Sequence, residues 1–172
     1  MSTSNITSSG STPIVRSTAA SGSQVYESRR AVDEYLLFHY GKDEDLLPLG
    51  LGPKDALNFT ERSVNLCRDR VLLDRQAPSR ALDLGCAVGS SSFELSKTYD
   101  EVIGIDFSQH FIDAANSMKS TGKMSFDMLV RGQVYKQCET KPISGDVDRT
   151  KVTFMQGDAC NLSSELGINS SV

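Results

Sequence analysis

Three aspartates, each placed at the end of a short apolar run, are the residues whose type and spacing could do chemistry. Asp83 opens a turn of small residues, Gly85-Cys86-Ala87-Val88-Gly89; Asp106 closes a second run about twenty residues later; Asp158 lies in Gly157-Asp158-Ala159 after a third. The pattern suits a nucleoside. Small residues let backbone approach a ligand closely, and an acid at the end of the second strand accepts hydrogen bonds from ribose hydroxyls. Asp158 is placed to accept from an adenine amino group, with the Ala159 backbone N–H on the ring.

The elements that must position these groups follow from the apolar pattern. Residues 81–84 and 101–106 are expected as strands flanking a helix over 90–99, and 151–155 as a third strand. In a doubly wound parallel sheet, ligands sit outside the carboxyl ends of the strands, where all three aspartates fall. A dinucleotide fingerprint needs small residues at its first, third and sixth places, which here are Gly85, Ala87 and Ser90. Ser90 is a poor third member, which disfavours a nicotinamide dehydrogenase. An acid followed by glycines at every second place fits better, through Asp83, Gly85 and Gly89 with Ala87 between them. That arrangement resembles motif I of the class I S-adenosylmethionine-dependent methyltransferases. The expected fold is α/β and Rossmann-like, of the class I methyltransferase type, with added N-terminal helices.

Length and composition set the bounds. A chain of 172 residues suggests one domain, and 18 basic against 22 acidic residues, a net charge of -4, leave no electrostatic footprint for nucleic acid or an anionic membrane. Cys67, Cys86, Cys138 and Cys160 are widely spaced and only His39 and His110 could join them, so free thiols in a reducing, cytoplasmic setting are expected, with no metal. Residues 1–24 are rich in serine and threonine, and a disordered tail is expected. Freedom from acid and Arg16 make an organellar transit peptide the alternative reading of that tail. The methyltransferase domain is placed at 25–172.

Residues 26–40 have helical spacing stopped by Gly41, and residues 42–53 suit a surface loop. A helix is expected over 55–75, with Val64, Cys67, Val71 and Leu72 on its apolar stripe and Arg62 as the candidate for the cofactor carboxylate. Ser108 is a plausible N-cap for a helix over 109–119, ended by Gly122. Segments 124–130 and 133–138 suit a hairpin turning at Arg131-Gly132.

Several segments together resemble the methyltransferase module of ovothiol biosynthesis, the 4-mercaptohistidine N1-methyltransferase: EYLLFHYG at 34–41, LGPKDALNF at 51–59, DLGCAVGSSSFEL at 83–95, GIDFS at 104–108 and QGDACNL at 156–162. The resemblance implies methyl transfer from S-adenosylmethionine to an imidazole nitrogen of a small thiol-substituted histidine, leaving S-adenosylhomocysteine. The candidate cofactor site comprises Asp83, Gly85, Cys86, Ala87, Gly89, Asp106, Phe107, Asp158, Ala159 and Arg62. Tyr26, Tyr35 and His39 are expected at the border of the substrate; no catalytic residue is assigned. The family's fold has more strands after the third, so the fold is expected to be incomplete at the C-terminus, with association through the exposed edge of the sheet. The competing reading is a non-catalytic fragment that binds the cofactor.

Overall fold

The computed structural model describes residues 23–71 and 80–162. The expectations for the Ser/Thr-rich tail over residues 1–22, and for the helix beyond residue 71, lie outside these.

A 3-10 turn at Ser23–Tyr26 leads into α1, Arg29–Tyr40. The expected helix from residue 26 starts later because Ser28 caps it: its Oγ accepts from the Ala31 N–H at 3.1 Å. Gly41 ends α1, its N–H donating to the Leu37 carbonyl. The loop that follows contains one short helix, α2, Asp43–Leu46. The helix expected from residue 55 is divided. A 3-10 turn at Lys54–Ala56 is separated from α3, Phe59–Val71, by Asn58 at φ 53°, a left-handed conformation that interrupts helical hydrogen bonding. On α3 Val64 is buried, but Cys67 is exposed and does not belong to the apolar stripe.

The Rossmann-like unit follows: β1 at Arg80–Leu84, α4 at Ser90–Leu95, β2 at Glu101–Asp106 and α5 at Gln109–Thr121. Helix α4 is shorter than the expected 90–99, continuing only as turns. Helix α5 begins where Ser108 Oγ accepts from the Phe111 N–H and ends at Gly122, φ 79°. The hairpin forms as expected from β3, Ser125–Arg131, and β4, Val134–Glu139, turning through Gly132 at φ 58°. A 3-10 turn at Arg149–Lys151 then feeds β5, Val152–Gln156.

Strands β1, β2 and β5 form one parallel sheet in that order, with β2 central. Register pairs Leu84 with Ile105 and Asp106 with Gln156, so the three carboxyl ends lie side by side. Helices α4 and α5 pack on the sheet around Val102, Val152 and Phe154. Helix α1 packs against α5 and β3, burying Val32 and Leu36 near Phe111 and Phe126. Burying four such side chains stabilises the assembly by roughly 6–12 kcal/mol before entropy is counted. Ile103 and Ile105 form a second, smaller cluster, while Leu82, Leu84 and Met155 remain partly exposed. None of the described helices is long and apolar enough to cross a membrane.

Candidate functional site

The crevice is built where β1 and β2 end. The chain leaves β1 through Gly85, φ 76°, and both the Gly85 and Cys86 N–H groups donate to the Ile105 carbonyl, at 2.8 and 3.0 Å. A Cβ on Gly85 would meet nothing within 4 Å, so the backbone here borders open space. The turn closes with the Gly89 N–H donating to the Cys86 carbonyl. Gly89 differs from Gly85. It is also left-handed, at φ 86°, but an added Cβ would lie 2.6 Å from Phe154 Cζ. One glycine therefore gives room beside the turn, and the other lets α4 settle onto the sheet.

Asp106 is oriented from both sides. Its Oδ2 accepts from the Ala87 N–H and its Oδ1 from the Ser108 N–H, each at 2.9 Å. Ala87 stands at φ 46°, uncommon for a residue with a Cβ, and this conformation accompanies the aiming of its N–H at Asp106. Each carboxylate oxygen retains a lone pair for a ligand hydroxyl. On the other side of β2, the Gly157 N–H donates to the Asp106 carbonyl at 2.9 Å. Asp158 Oδ1 accepts from the Cys160 N–H at 2.8 Å, forming the turn that carries the exposed Ala159. Phe107 is partly exposed beside this edge, its carbonyl accepting from Gln156 Nε2.

Asp83 has a structural attachment. Its Oδ2 accepts from Ser92 Oγ at 2.7 Å, tying β1 to α4. Burial raises the Asp83 pKa, and the Ser92 hydrogen bond opposes this. The Cys86 side chain is buried and burial pushes its thiol up, so this residue offers the turn its backbone rather than a thiolate. Arg62 Nε donates to the Leu57 carbonyl at 3.1 Å, so its guanidinium braces the entry to α3.

The amino-terminal segment brings aromatic rings to this end of the sheet. Tyr35 lies 4.6 Å from Phe111 and 6.1 Å from Tyr26, ring centre to ring centre, and 5.6 Å from His39 one helical turn on. Burial raises the Tyr35 phenol pKa, with further upward contributions from Tyr26 and the Asp106 charge. Ser108 Oγ donates to the Tyr26 carbonyl at 3.1 Å, and His110 Nδ1 meets Glu27 Oε2 at 2.5 Å. The strap is thus fastened to the start of α5. Burial takes the His39 imidazole down to about 4, which leaves it neutral at neutral pH.

Sequence reasoning missed two contacts that shape the turn. Tyr40 Oη donates to the Val88 carbonyl at 2.9 Å, and Thr60 Oγ1 shares a 2.8 Å hydrogen bond with Ser90 Oγ. Their partners are 48 and 30 residues apart in sequence, and no local pattern announces them.

With this geometry in view, residues 82–166 match the family described as a methyltransferase domain. Among similar solved structures, the YcgJ protein from Bacillus subtilis is 22% identical, with 59% of this chain and 32% of that chain covered and a TM-score of 0.38. Magnesium protoporphyrin IX methyltransferase from Synechocystis PCC 6803 with bound S-adenosylhomocysteine is 19% identical, with coverage of 79% and 54% and a TM-score of 0.40. Phosphoethanolamine N-methyltransferase 1 from Haemonchus contortus, in complex with phosphoethanolamine and S-adenosylhomocysteine, is 15% identical, with coverage of 78% and 22% and a TM-score of 0.38. The chain spans between 22% and 54% of the length of these three. No curated protein matches. The fold is α/β, with a parallel three-stranded sheet, and the stretch similar to a methyltransferase domain contains residues of all three of its strands.

Proposed function

We propose that the chain transfers the methyl group of S-adenosylmethionine to an imidazole nitrogen of 4-mercaptohistidine. The observation that carries the nucleoside half of this reading is the Asp106 carboxylate, held by one backbone N–H on each oxygen beside the open face of Gly85. The acceptor is supported by the sequence resemblance of the segments at 34–41, 51–59, 83–95, 104–108 and 156–162.

S-adenosylmethionine, held at the ends of β1 and β2, would supply a sulfonium-activated methyl for the acceptor nitrogen's lone pair, with S-adenosylhomocysteine as the leaving group and the acceptor's surplus ring proton released to water. The protein's residues bind and orient. Asp106 accepts from the ribose hydroxyls, Asp158 from the adenine amino group, and Gly85 permits close approach of the backbone. Tyr26, Tyr35 and His39 border the acceptor and exclude water. A neutral imidazole nitrogen is already a competent nucleophile, so positioning it supplies most of the acceleration.

Incubation with S-adenosylmethionine carrying a labelled methyl group, with 4-mercaptohistidine as acceptor, should yield labelled N-methylated product. Binding of S-adenosylhomocysteine without turnover would favour the non-catalytic reading, and tighter binding of NAD than of S-adenosylhomocysteine would defeat the methyltransferase reading.

A further inference from the structure

The peptide unit between Phe107 and Ser108, just past the end of β2, is hydrogen-bonded at both of its ends. Its N–H, on Ser108, donates to Asp106 Oδ1 at 2.9 Å, and its carbonyl, on Phe107, accepts from Gln156 Nε2 at 3.0 Å. We infer that Gln156 is a positioning residue of the nucleoside site: acting through this peptide, it sets the direction of the Asp106 carboxylate. The inference rests on the nucleoside half of the methyl-transfer reading.

A peptide unit is planar, so its carbonyl and its N–H point in opposite directions and turn together. Holding one end therefore fixes the other. A rotation of the plane would take the Ser108 N–H away from Asp106 Oδ1, leaving the carboxylate to the Ala87 N–H on Oδ2. Hydrogen bonds in series also polarise one another, so the Gln156 amide strengthens the Ser108 N–H as a donor.

The local structure leaves the Phe107 carbonyl to Gln156. In a continuous helix the N–H four residues on would take it, but the Phe111 N–H donates instead to Ser108 Oγ, the N-cap of α5. Phe107 also lies past the last residue of β2, beyond the paired register with β5. Gln156 is the last residue of β5 and the register partner of Asp106, which puts its side chain beside this carbonyl. The next residue, Gly157, donates its N–H to the Asp106 carbonyl at 2.9 Å, and a Cβ there would lie 2.9 Å from Ile105 Cγ2. The end of β5 is thus seated closely against the end of β2, within reach of a glutamine amide. Gln156 is exposed, and water can replace the hydrogen bond of an exposed side chain, so the contact adds little to stability. Its effect is on geometry.

That difference makes the inference testable. Calorimetric titration with S-adenosylhomocysteine, and urea unfolding without ligand, are run on the full chain as wild type, Gln156→Met, Gln156→Glu and Gln156→Lys, and as Asp106→Ala with and without Gln156→Met. Methionine keeps the length without a donor, glutamate puts an acceptor where the donor was, and lysine keeps a donor. We expect the methionine and glutamate variants to bind S-adenosylhomocysteine about three- to tenfold more weakly, the lysine variant to stay within about twofold of wild type, and all three to unfold at the wild-type urea midpoint. In the Asp106→Ala background, Gln156→Met should cause no further loss of affinity, because no carboxylate remains to be directed. Wild-type affinity in the folded Gln156→Met variant overturns the inference. So does an equal loss from Gln156→Met with and without the Asp106 carboxylate, or a loss in Gln156→Lys as large as in Gln156→Met. Each of these results leaves the methyl-transfer reading intact, whereas failure of wild type to bind S-adenosylhomocysteine overturns both.

Discussion

Replacing Asp106 with alanine tests the nucleoside site most directly, because the structure separates two losses. The first is structural: the Ala87 and Ser108 N–H groups, each 2.9 Å from a carboxylate oxygen, lose a charged acceptor. Hydrogen bonds to charged groups are worth about 1.5–3 kcal/mol each, but water can reach this part-buried position, so a stability loss of roughly 2–4 kcal/mol is expected. The second is the ligand's own hydrogen bonding to the carboxylate, again about 1.5–3 kcal/mol, which weakens cofactor binding by roughly 10- to 150-fold. Asp106→Asn keeps the shape and one acceptor oxygen but removes the charge, so it should fall between wild type and alanine in both measurements. Calorimetric titration with S-adenosylhomocysteine gives the affinity, and urea unfolding without ligand gives the stability. The titration must be run where each variant is fully folded, so that unfolding does not pass for weak binding. A folded Asp106→Ala variant that binds S-adenosylhomocysteine as tightly as wild type would remove Asp106 from the site and refute the reasoning. A loss of stability with no loss of affinity would show that the carboxylate serves only to tie Ala87 to Ser108.

Three further outcomes follow from local geometry. Gly89→Ala must place a Cβ 2.6 Å from Phe154 Cζ at φ 86°, and should cost about 2–4 kcal/mol in urea unfolding; a change below 1 kcal/mol would contradict the packing described. Tyr40→Phe leaves the Val88 carbonyl without its 2.9 Å partner, and should lower stability by about 1–2 kcal/mol while S-adenosylhomocysteine still binds. For His39, burial lowers the folded-state pKa from 6.5 to about 4, so as pH falls the unfolded chain takes up the proton first. Its contribution is therefore constant above pH 6.5, and stability declines between 6.5 and 4 by up to about 3 kcal/mol. Comparing urea unfolding of wild type and His39→Gln at pH 7.5 and 4.5 isolates this contribution, and an identical pH dependence in both would rule it out.

Much of this architecture was legible because local signals agreed with the tertiary fold. Ser108 and Gly122 mark both ends of α5 through cap chemistry, the 101–106 strand is bounded by charged residues, and Arg131-Gly132 supplies the hairpin turn. Errors arose where a local cue pointed beyond its element. Tyr26 fits the helical spacing of α1, but the Ser28 cap starts the helix after it, and Tyr26 instead packs on Phe111 and Tyr35. Cys67 falls on the periodic stripe of α3 yet remains exposed. The left-handed Asn58 divides that segment without a glycine or proline to mark the break. A cavity beside His39 is assembled from four separate segments, so hydrophobic periodicity within any one of them does not describe it.

The same comparison divides the labour within the glycine turn. Asp83 and Gly89 match a cofactor motif by spacing, but one is bonded to Ser92 and the other lies against Phe154, so both anchor α4 to the sheet. Gly104 shares this role, since a Cβ there would lie 2.7 Å from Phe154 Cδ1 and 2.8 Å from Ser92 Oγ. That anchoring leaves the other half of the turn to face a ligand: Gly85 beside open space, and Ala87 directing its N–H to Asp106. A substitution at the anchoring residues should therefore act first on stability and only secondarily on cofactor affinity. Changes at Ala87 or Asp106 alter the crevice itself, because the hydrogen bond between them joins the end of β2 to the turn after β1. The spacing of the motif marks the candidate site, while the packing behind it distinguishes residues that join α4 to the sheet from residues whose backbone faces open space.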